Sequence, residues 1–186
     1  MQGQHDTDEQ GLVEDVRSGS RTAFGRLVEP HLPRLLGLAR RMLGSSEEAE
    51  DAVQTALAST WVARAKLDPA QPVAAYLTTV TLNKCRDRLR RRKAARFLSF
   101  GLFDMDLPVA AGTPDAETEI GDRQTLESVS RAIERLPVKL REALVLVTID
   151  GRSQREAAEL LGVTEKTIET RIYRARQRLR EKLDFV

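Results

Sequence analysis

The chain has 186 residues and a net charge of +2 at neutral pH, with 41% hydrophobic and 31% charged residues. This balance is typical of soluble globular proteins and argues against an intrinsically disordered chain. The polar N-terminus lacks the apolar core of a signal peptide, and no later stretch is apolar over a membrane-spanning length. Because Cys85 is the only cysteine, no disulfide can form within the chain. We therefore expect a cytoplasmic protein without direct membrane insertion.

The residue types favour helices throughout the chain. Alanine, leucine, arginine and glutamate dominate the composition, aromatic residues make up only 4%, and β-branched runs are scarce. Apolar residues recur at helical spacing from Phe24 to Leu43. Pro30 and Pro33 predict a kink or a helix start within this stretch, and Gly44 predicts its end. The sequence therefore predicts an all-α protein.

The next predicted helix follows Gly44. Ser45 and Glu48 have the S-x-x-E spacing of a capping box, in which each side chain satisfies a backbone amide of the other residue. A stripe of small and apolar residues recurs at intervals of three and four as far as Trp61. The opposite face carries Glu47, Glu50, Asp51 and Gln54. An acidic face suits a basic protein partner; a solvated helix surface, with Trp61 in the core, is the simpler interpretation.

A loop, KLDPAQP, precedes a third helix, which Pro72 can open at its first turn. This helix runs into residues 84–96, where eight cations stand against one acid. A second basic segment, residues 171–182, has six cations against one acid, so the remainder of the chain is strongly acidic. Two separate basic segments favour contacts with a polyanion, and nucleic acid is the better interpretation. Solvated helix faces are the alternative.

The composition changes between residues 101 and 122, where glycine, proline and acidic residues replace the helical pattern. We expect this segment to be a flexible acidic linker. It separates two predicted domains, residues 1–100 and residues 123–186. The predicted fold is therefore all-α, with two small helical domains joined by the linker.

The most specific pattern lies in the second domain. Ser153 and Glu156 form a second capping box, Ala158 is small where two helices would cross closely, and Gly162 suits the turn between them. Thr164 would cap the second helix. These features predict a helix-turn-helix. Because small residues at helix crossings are common, the pattern is specific only together with the cap, the apolar stripe and the cations.

The second helix of this motif combines an apolar stripe with many cations. The stripe consists of Ile168, Ile172, Ala175, Leu179 and Leu183. It would fix the helix to its domain, which leaves the cations to face a DNA groove. The predicted duplex-contacting residues are Lys166, Thr167, Glu169, Thr170, Arg171, Tyr173, Arg174 and Arg178. An ordinary helical hairpin with solvated arginines is the alternative.

Three stretches together resemble the extracytoplasmic-function (ECF) sigma factors, the small alternative sigma subunits of bacterial RNA polymerase. They are AFGRLVEPHLPRLLGLARRMLGSSEEAEDAVQTALASTW, AAYLTTVTLNKCRDRLRRRK and LPVKLREALVLVTIDGRSQREAAELLGVTEKTIETRIYRARQRLREKL. The first is similar to the polymerase-binding part of the family, and the last to its promoter-reading helix-turn-helix. The resemblance extends from Leu12 to Leu183, apart from the linker. Two matching halves in the right order are far more specific than either alone.

The resemblance implies that the first domain is sigma region 2 and the second is sigma region 4. The chain would contact the polymerase core at the β′ coiled coil and the β flap, and the acidic linker would lie in the RNA-exit path. The residues implied for polymerase binding are Glu50, Asp51, Gln54 and Thr55. Thr55 departs from the family, which usually has an acid there.

The resemblance also implies that the first domain opens and reads the −10 promoter element, whereas the second reads the −35 element as a duplex. A loop would capture a flipped-out base, at the cost of unstacking it. The residues implied are Leu67, Asp68, Thr79, Asn83, Arg86, Arg90 and Arg91. The segment from Arg88 to Lys93 would contact phosphates. For Asn83, a solvent-facing side chain is the alternative.

Glu169 stands where the family usually has a basic residue. A carboxylate near phosphates is repelled, yet it can accept a hydrogen bond from cytosine N4. We therefore hypothesise that this protein reads a −35 sequence unlike that of the commonest family members.

The sequence does not predict an enzyme. His5 and His31 are isolated, and we find no metal-ligand spacing, no glycine-rich phosphate loop and no nucleophile paired with a base. We expect no catalytic residue, no metal and no cofactor. Two other functions stay open: a helix-turn-helix repressor or activator that does not bind core polymerase, and a helical adaptor that binds only protein. The resemblance further implies control by an anti-sigma factor.

Overall fold

The computed structural model describes residues 2–100 and 120–183, with the side chains of residues 8–95 and 127–183. All regular secondary structure in these ranges is helical, which confirms the predicted all-α fold. No helix in the described ranges is long and apolar enough to cross a membrane. Residues 101–119, most of the predicted linker, lie outside the described residues.

The first half consists of five α-helices. They are α1 (Gln2–Ser18), α2 (Arg21–Val28), α3 (Leu32–Leu43), α4 (Ser46–Val62) and α5 (Val73–Phe100). Short 3-10 turns at Glu29–His31 and Arg64–Lys66 lie between them. Helices α3, α4 and α5 pack against one another, and α1 packs on α2 and on the second turn. This bundle contains both predicted surfaces of the first domain.

The helix ends of the first half follow the local sequence signals, with one exception. Gly44 adopts the left-handed conformation (φ +73°) that ends α3. Ser45 Oγ accepts a hydrogen bond from the Glu48 amide at 3.3 Å, as a helix cap should. The Glu48 carboxylate does not complete the predicted capping box, because it accepts instead from Arg92 Nε at 3.0 Å. A long-range ion pair therefore replaces the local bond.

The second half consists of four α-helices and one π-helical turn. They are α6 (Ile120–Glu134), α7 (Val138–Leu144), the turn Val145–Ile149, α8 (Gln154–Leu161) and α9 (Glu165–Leu183). Helix α6 begins inside the segment predicted as linker, so that prediction is wrong for residues 120–122. The acidic composition therefore did not exclude a helix.

The two halves lie directly against each other. Helix α3 contacts α6, α7 and the π-helical turn, and α5 contacts α8. A single apolar cluster continues from one half into the other, from Leu43 and Leu82 to Val145 and Leu146. The DNA-reading helix predicted in the second half, α9, packs mainly on α6, α7 and α8 of its own domain. The outer face of α9 therefore stays open to solvent.

Candidate nucleic-acid interface

Helices α8 and α9 form the predicted helix-turn-helix. The Glu156 carboxylate accepts from the Ser153 amide and hydroxyl, both at 2.8 Å, while Ser153 Oγ accepts from the Glu156 amide at 3.2 Å. Donation by the Ser153 amide, and then by its hydroxyl, lowers the pKa of Glu156. Gly162 ends α8 in the left-handed conformation (φ +64°). The second capping box and the glycine turn are thus confirmed.

The start and the inner face of α9 also follow the sequence. Thr164 Oγ1 accepts from the Thr167 amide at 3.2 Å, so Thr164 caps the helix as predicted. Ile168, Ile172 and Ala175 are buried on its inner face. These apolar contacts fix the rotation of α9 about its own axis, and with it the direction in which every other side chain points.

The cations of α9 lie on both flanks of this buried stripe. At 100° per residue, Arg176 and Arg180 fall on the flank next to α8, and Arg171 and Arg178 fall on the opposite flank. None of them forms an ion pair with any described residue, and Arg174 is equally free. A helix in the major groove has a phosphate backbone on either side. The two flanks are therefore placed to contact both backbones.

Three predicted residues are partly engaged within α9 itself. Lys166 Nζ lies 2.9 Å from the Glu169 carboxylate, and the Thr170 hydroxyl donates to the Lys166 carbonyl at 2.8 Å. Both members of the ion pair are exposed, so the pair adds little stability. Tyr173 projects into solvent with 69% of its surface exposed. Lys166, Glu169 and Tyr173 thus remain accessible to a ligand.

A groove along the α8 flank contains residues that were not among the predicted contacts. It is lined by Gln154, Glu169, Ile172, Tyr173, Arg176, Gln177 and Arg180. The sequence signal for the α9 members was the spacing of four, three and four from Glu169 to Arg180, which places them on one helix face. Gln154 comes from α8, and spacing within α9 does not predict its position.

On α5, some of the residues predicted to contact DNA are exposed, and others form hydrogen bonds or ion pairs within the protein. Asn83, Arg90 and Arg91 are exposed. Asn83 Oδ1 accepts from Arg86 Nη1 at 2.8 Å, and Arg86 Nε donates to Glu142 of the second half at 2.5 Å. Arg90 pairs with Asp87, one turn before it. Thr79 is half-buried, and its hydroxyl donates to its own helix.

Two cations of the segment from Arg88 to Lys93, which is predicted to contact phosphates, are engaged within the protein. Arg88 Nη2 donates to Asp51 of α4 at 2.9 Å. Arg92 donates to Glu48 and, at 2.9 Å, to the Leu43 carbonyl, so it joins α5 to both α4 and the end of α3. Their partners are 37 to 49 residues away, and a cationic run does not reveal them.

The structure corrects the prediction that Leu67 contacts a flipped-out base. Its side chain is only 4% exposed and packs in the core, so it anchors the loop before α5 and is not presented to a base. Asp68, its neighbour, is exposed, and its carboxylate accepts from the Ala70 amide at 2.9 Å. The Val73 amide at the start of α5 donates to Glu9 of α1 at 3.0 Å. Both ends of the loop are thus held by bonds inside the protein.

The acidic face of α4 forms as predicted. Glu50, Asp51, Gln54 and Thr55 are all exposed along one side of the helix. Arg40 approaches Glu50 at 3.4 Å and Arg88 pairs with Asp51, so part of this negative charge is balanced within the protein. Trp61, near the end of the helix, is half-buried and packs against the core, with its ring centroid 5.3 Å from that of Phe24. The core interpretation of Trp61 is therefore confirmed.

The described residues contain no group of three or more histidine, cysteine, aspartate or glutamate side chains arranged to hold a metal ion. Cys85 is fully buried, and burial raises the pKa of its thiol to about 12. A thiol with so high a pKa is not a nucleophile at neutral pH.

Comparison with known proteins separates the same two halves. Residues 27–95 match sigma-70 region 2, and residues 126–179 match sigma-70 region 4. The RNA polymerase sigma factor CnrH of Cupriavidus metallidurans is 37% identical and covers 93% of each chain. The ECF RNA polymerase sigma factor SigM of Mycobacterium tuberculosis is 36% identical over 99% of this chain and 89% of its own length. The chain belongs to the ECF sigma factors.

Solved structures of sigma factors have the same fold. A structure of CnrH in complex with the cytosolic domain of CnrY has a TM-score of 0.69 and 33% identity, and covers 95% of this chain and 97% of that one. The sigma factor RpoE from Bartonella quintana, in complex with the anti-sigma factor NepR, has a TM-score of 0.70 and 28% identity, with 87% and 96% coverage. Region 2 of this sigma factor contains α3, α4 and most of α5, and region 4 contains α7, α8 and most of α9.

Proposed function

We propose that this sigma factor binds core RNA polymerase and directs initiation at particular promoters, with α9 reading the −35 duplex and α5 opening and reading the −10 element. One observation carries the proposal. Helix α9 buries an apolar stripe in its own domain and leaves arginines on both flanks that pair with no described residue. Fixed cations on both sides of a helix match the two phosphate backbones that border a major groove.

At the −35 element, α9 would use different side chains for position and for sequence. The flank arginines would contact phosphates, which sets affinity and register. Lys166, Thr170 and Tyr173 lie between the flanks and face outward, where base edges would be. Glu169 lies beside them on the α8 flank, with Arg176 and Arg180. Glu169 would accept from cytosine N4, provided that Lys166 exchanges their ion pair for a phosphate or a base. This supports the hypothesis of an unusual −35 sequence.

At the −10 element, α5 and the preceding loop would hold a displaced strand. Asn83 and Thr79 lie on successive turns of α5, and Asp68 lies in the loop before it. Arg90 and Arg91 would then contact phosphates of the same strand. Capture of an unstacked base costs a few kcal/mol, which these phosphate contacts would offset.

The acidic side of α4 is the proposed surface for polymerase core. Glu50, Asp51, Gln54 and Thr55 form an exposed strip that suits the basic β′ coiled coil implied by the family. Charges at the edge of such an interface set register and association rate more than affinity. Region 4 would contact the β flap. The proposal places the protein in the cytoplasm, where the polymerase acts.

We also propose that an anti-sigma factor controls this protein. The solved relative RpoE is in complex with the anti-sigma factor NepR, and the solved CnrH is in complex with the cytosolic domain of CnrY. Since both relatives match most of this chain, a partner that binds the sigma factor directly is the form of control that they support.

The polymerase contact is tested by assembling the full chain with purified core. Glu50→Lys reverses a charge in the proposed strip and should weaken core binding in a native gel or by light scattering. Glu159→Lys makes the same change on the exposed side of α8, next to Arg155, and should leave core binding unchanged. If both variants lost core binding equally, or if neither lost it, the assignment of α4 as the core-binding surface would be contradicted.

Promoter reading is tested by incubating core and the protein with a randomised promoter library and sequencing the DNA that is transcribed. The proposal expects enrichment of two elements about 25 base pairs apart, dependent on both core and protein. Tight sequence-specific binding by the protein alone, without any association with core, would instead identify a repressor or activator.

A further inference from the structure

The described residues include three polar contacts that join the two halves of the protein. Arg34 donates to the Asp150 carboxylate from Nε at 2.6 Å and from Nη2 at 2.8 Å. Arg86 donates to Glu142 at 2.5 Å. Arg141 Nη1 donates to the Met42 carbonyl at the end of α3, at 2.5 Å. Each contact pairs region 2 with region 4.

The pair of Arg86 and Glu142 differs from the other two contacts, because it involves a proposed −10 residue. Glu142 is only 3% exposed, and Arg86 is the cation with which its carboxylate pairs in the described chain. A buried carboxylate that loses its cation is strongly destabilised. Arg86 therefore cannot leave for a DNA phosphate while Glu142 remains at the junction of the halves.

The arrangement also conflicts with the span of a promoter. The −10 and −35 elements are about 25 base pairs apart, roughly 85 Å along B-DNA. In the structure, α5 contacts α8, the helix that immediately precedes the DNA-reading helix α9. The halves must therefore separate before one protein can occupy both elements.

We propose that Glu142 occupies Arg86 in place of promoter DNA and so keeps the free protein from binding the −10 strand until the halves separate. This rests on the proposed function, since Arg86 must be a −10 contact. The Glu142 carboxylate and a DNA phosphate are anions that compete for the Arg86 guanidinium. The apparent affinity for the −10 strand therefore equals the affinity of the open form multiplied by the fraction of molecules that are open.

The test uses the full chain with three substitutions. Glu142→Gln removes the competing charge, Arg86→Ala removes the shared cation, and Glu159→Gln is a control on exposed α8. Binding of a single-stranded −10 oligonucleotide is followed by fluorescence anisotropy. Separation of the halves is followed by energy transfer between dyes on Thr22→Cys and Lys139→Cys, both exposed positions, in a Cys85→Ala background.

We expect both Glu142→Gln and Arg86→Ala to lower energy transfer, because each removes the pair that joins the halves. Only Glu142→Gln should tighten oligonucleotide binding, by about tenfold if about a tenth of the wild-type protein is open. The control should behave as wild type. Glu142→Asp keeps the charge on a shorter side chain and should fall between Gln and wild type; it serves the same purpose if the Gln variant does not fold.

The failure of this proposal can be told apart from failure of the proposed function. If Glu142→Gln changes neither energy transfer nor affinity, while Arg86→Ala impairs initiation by the polymerase complex, the competition is wrong and the function stands. If Glu142→Gln opens the protein without tightening binding, and Arg86→Ala initiates normally, then Arg86 is not a DNA contact and the competition is overturned. The proposed function is overturned only if the wild-type protein gives core no promoter-specific initiation.

Discussion

Removing an unpaired cation from α9 should lower the salt dependence of promoter binding by a predictable step. Arg176 and Arg178 lie on opposite flanks of the helix, both exposed and neither paired with a described acid. Because no described residue competes for either guanidinium, alanine at one position removes a phosphate contact and leaves no described carboxylate unpaired. Each phosphate contact contributes about 0.9 to the slope of log K against log salt.

The size of the effect follows from that slope. The variant's slope is shallower by about 0.9, so its affinity falls less than that of the wild type as salt rises. The ratio of wild-type to variant affinity should therefore be about three- to fourfold smaller at about 200 mM salt than at about 50 mM. For the double variant this ratio should be about tenfold smaller. The two effects should add because the two positions are on different flanks and contact different strands. The ratio between cognate and scrambled −35 duplexes should stay constant, since phosphates carry no sequence information.

The assay titrates a −35 duplex that lacks the −10 element with assembled polymerase at several salt concentrations. Arg155→Ala is the matched control, because Arg155 is an exposed arginine of α8 that already pairs with Glu159 at 3.2 Å. Wild-type slopes for both α9 variants would refute the reasoning. A variant that loses cognate binding but keeps binding to scrambled DNA would show that its arginine reads bases instead.

Three further substitutions test the fold around the two interfaces. Gly162→Ala should cost about 1–2 kcal/mol in urea unfolding, because a left-handed residue (φ +64°) gains a Cβ although the space around it is open; an unchanged midpoint would contradict this. Burial and the nearby Arg34 lower the pKa of His31, although Glu9 acts in the opposite direction. The unfolded chain therefore binds more protons than the folded one, and stability falls as the pH drops below the ordinary histidine pKa of about 6.5. His31→Gln should flatten that loss between about pH 7.5 and 5.5 in chemical denaturation, and an equally steep loss would show that other groups cause it. Glu9→Gln should destabilise by about 1 kcal/mol in thermal melts, because it weakens the bond to the Val73 amide; Glu14→Gln, on the exposed side of α1, should not.

Features that depend on neighbouring residues could be predicted from the sequence. The glycine turn at Gly162 needs a left-handed residue, and the cap at Thr164 needs an oxygen two or three residues before an unpaired amide. The buried stripe of α9 follows from helical spacing alone. These signals placed the helix-turn-helix and most of its outward-facing residues.

The roles of individual cations on α5 could not be predicted in the same way. Arg88, Arg90 and Arg92 have the same residue type in one run, yet Arg88 and Arg92 hold α4 and Arg90 pairs with its own helix. The difference comes from which way each faces once α4 packs on α5, and that depends on contacts some 40 residues apart along the chain. Counting charges identifies the cationic segment but does not show in which direction each side chain points.

The burial of Leu67 and the junction of the two halves have the same origin. A leucine in a loop between helices is equally compatible with a base-contacting site and with an anchor in the core. Glu142 lies in α7 and Asp150 lies just after the π-helical turn, and nothing in the local sequence marks them as partners of Arg86 and Arg34. Only the packing of one domain on the other reveals these pairs.

The central claim is that this protein gives core polymerase its choice of promoter, and mapping RNA 5′ ends tests it most directly. Purified core would transcribe fragmented bacterial genomic DNA with and without the protein. The account predicts discrete new start sites that share a −10 and a −35 element and that disappear when the flank arginines of α9 are replaced. Start sites that do not change when the protein is added, although the protein assembles with core, would contradict it.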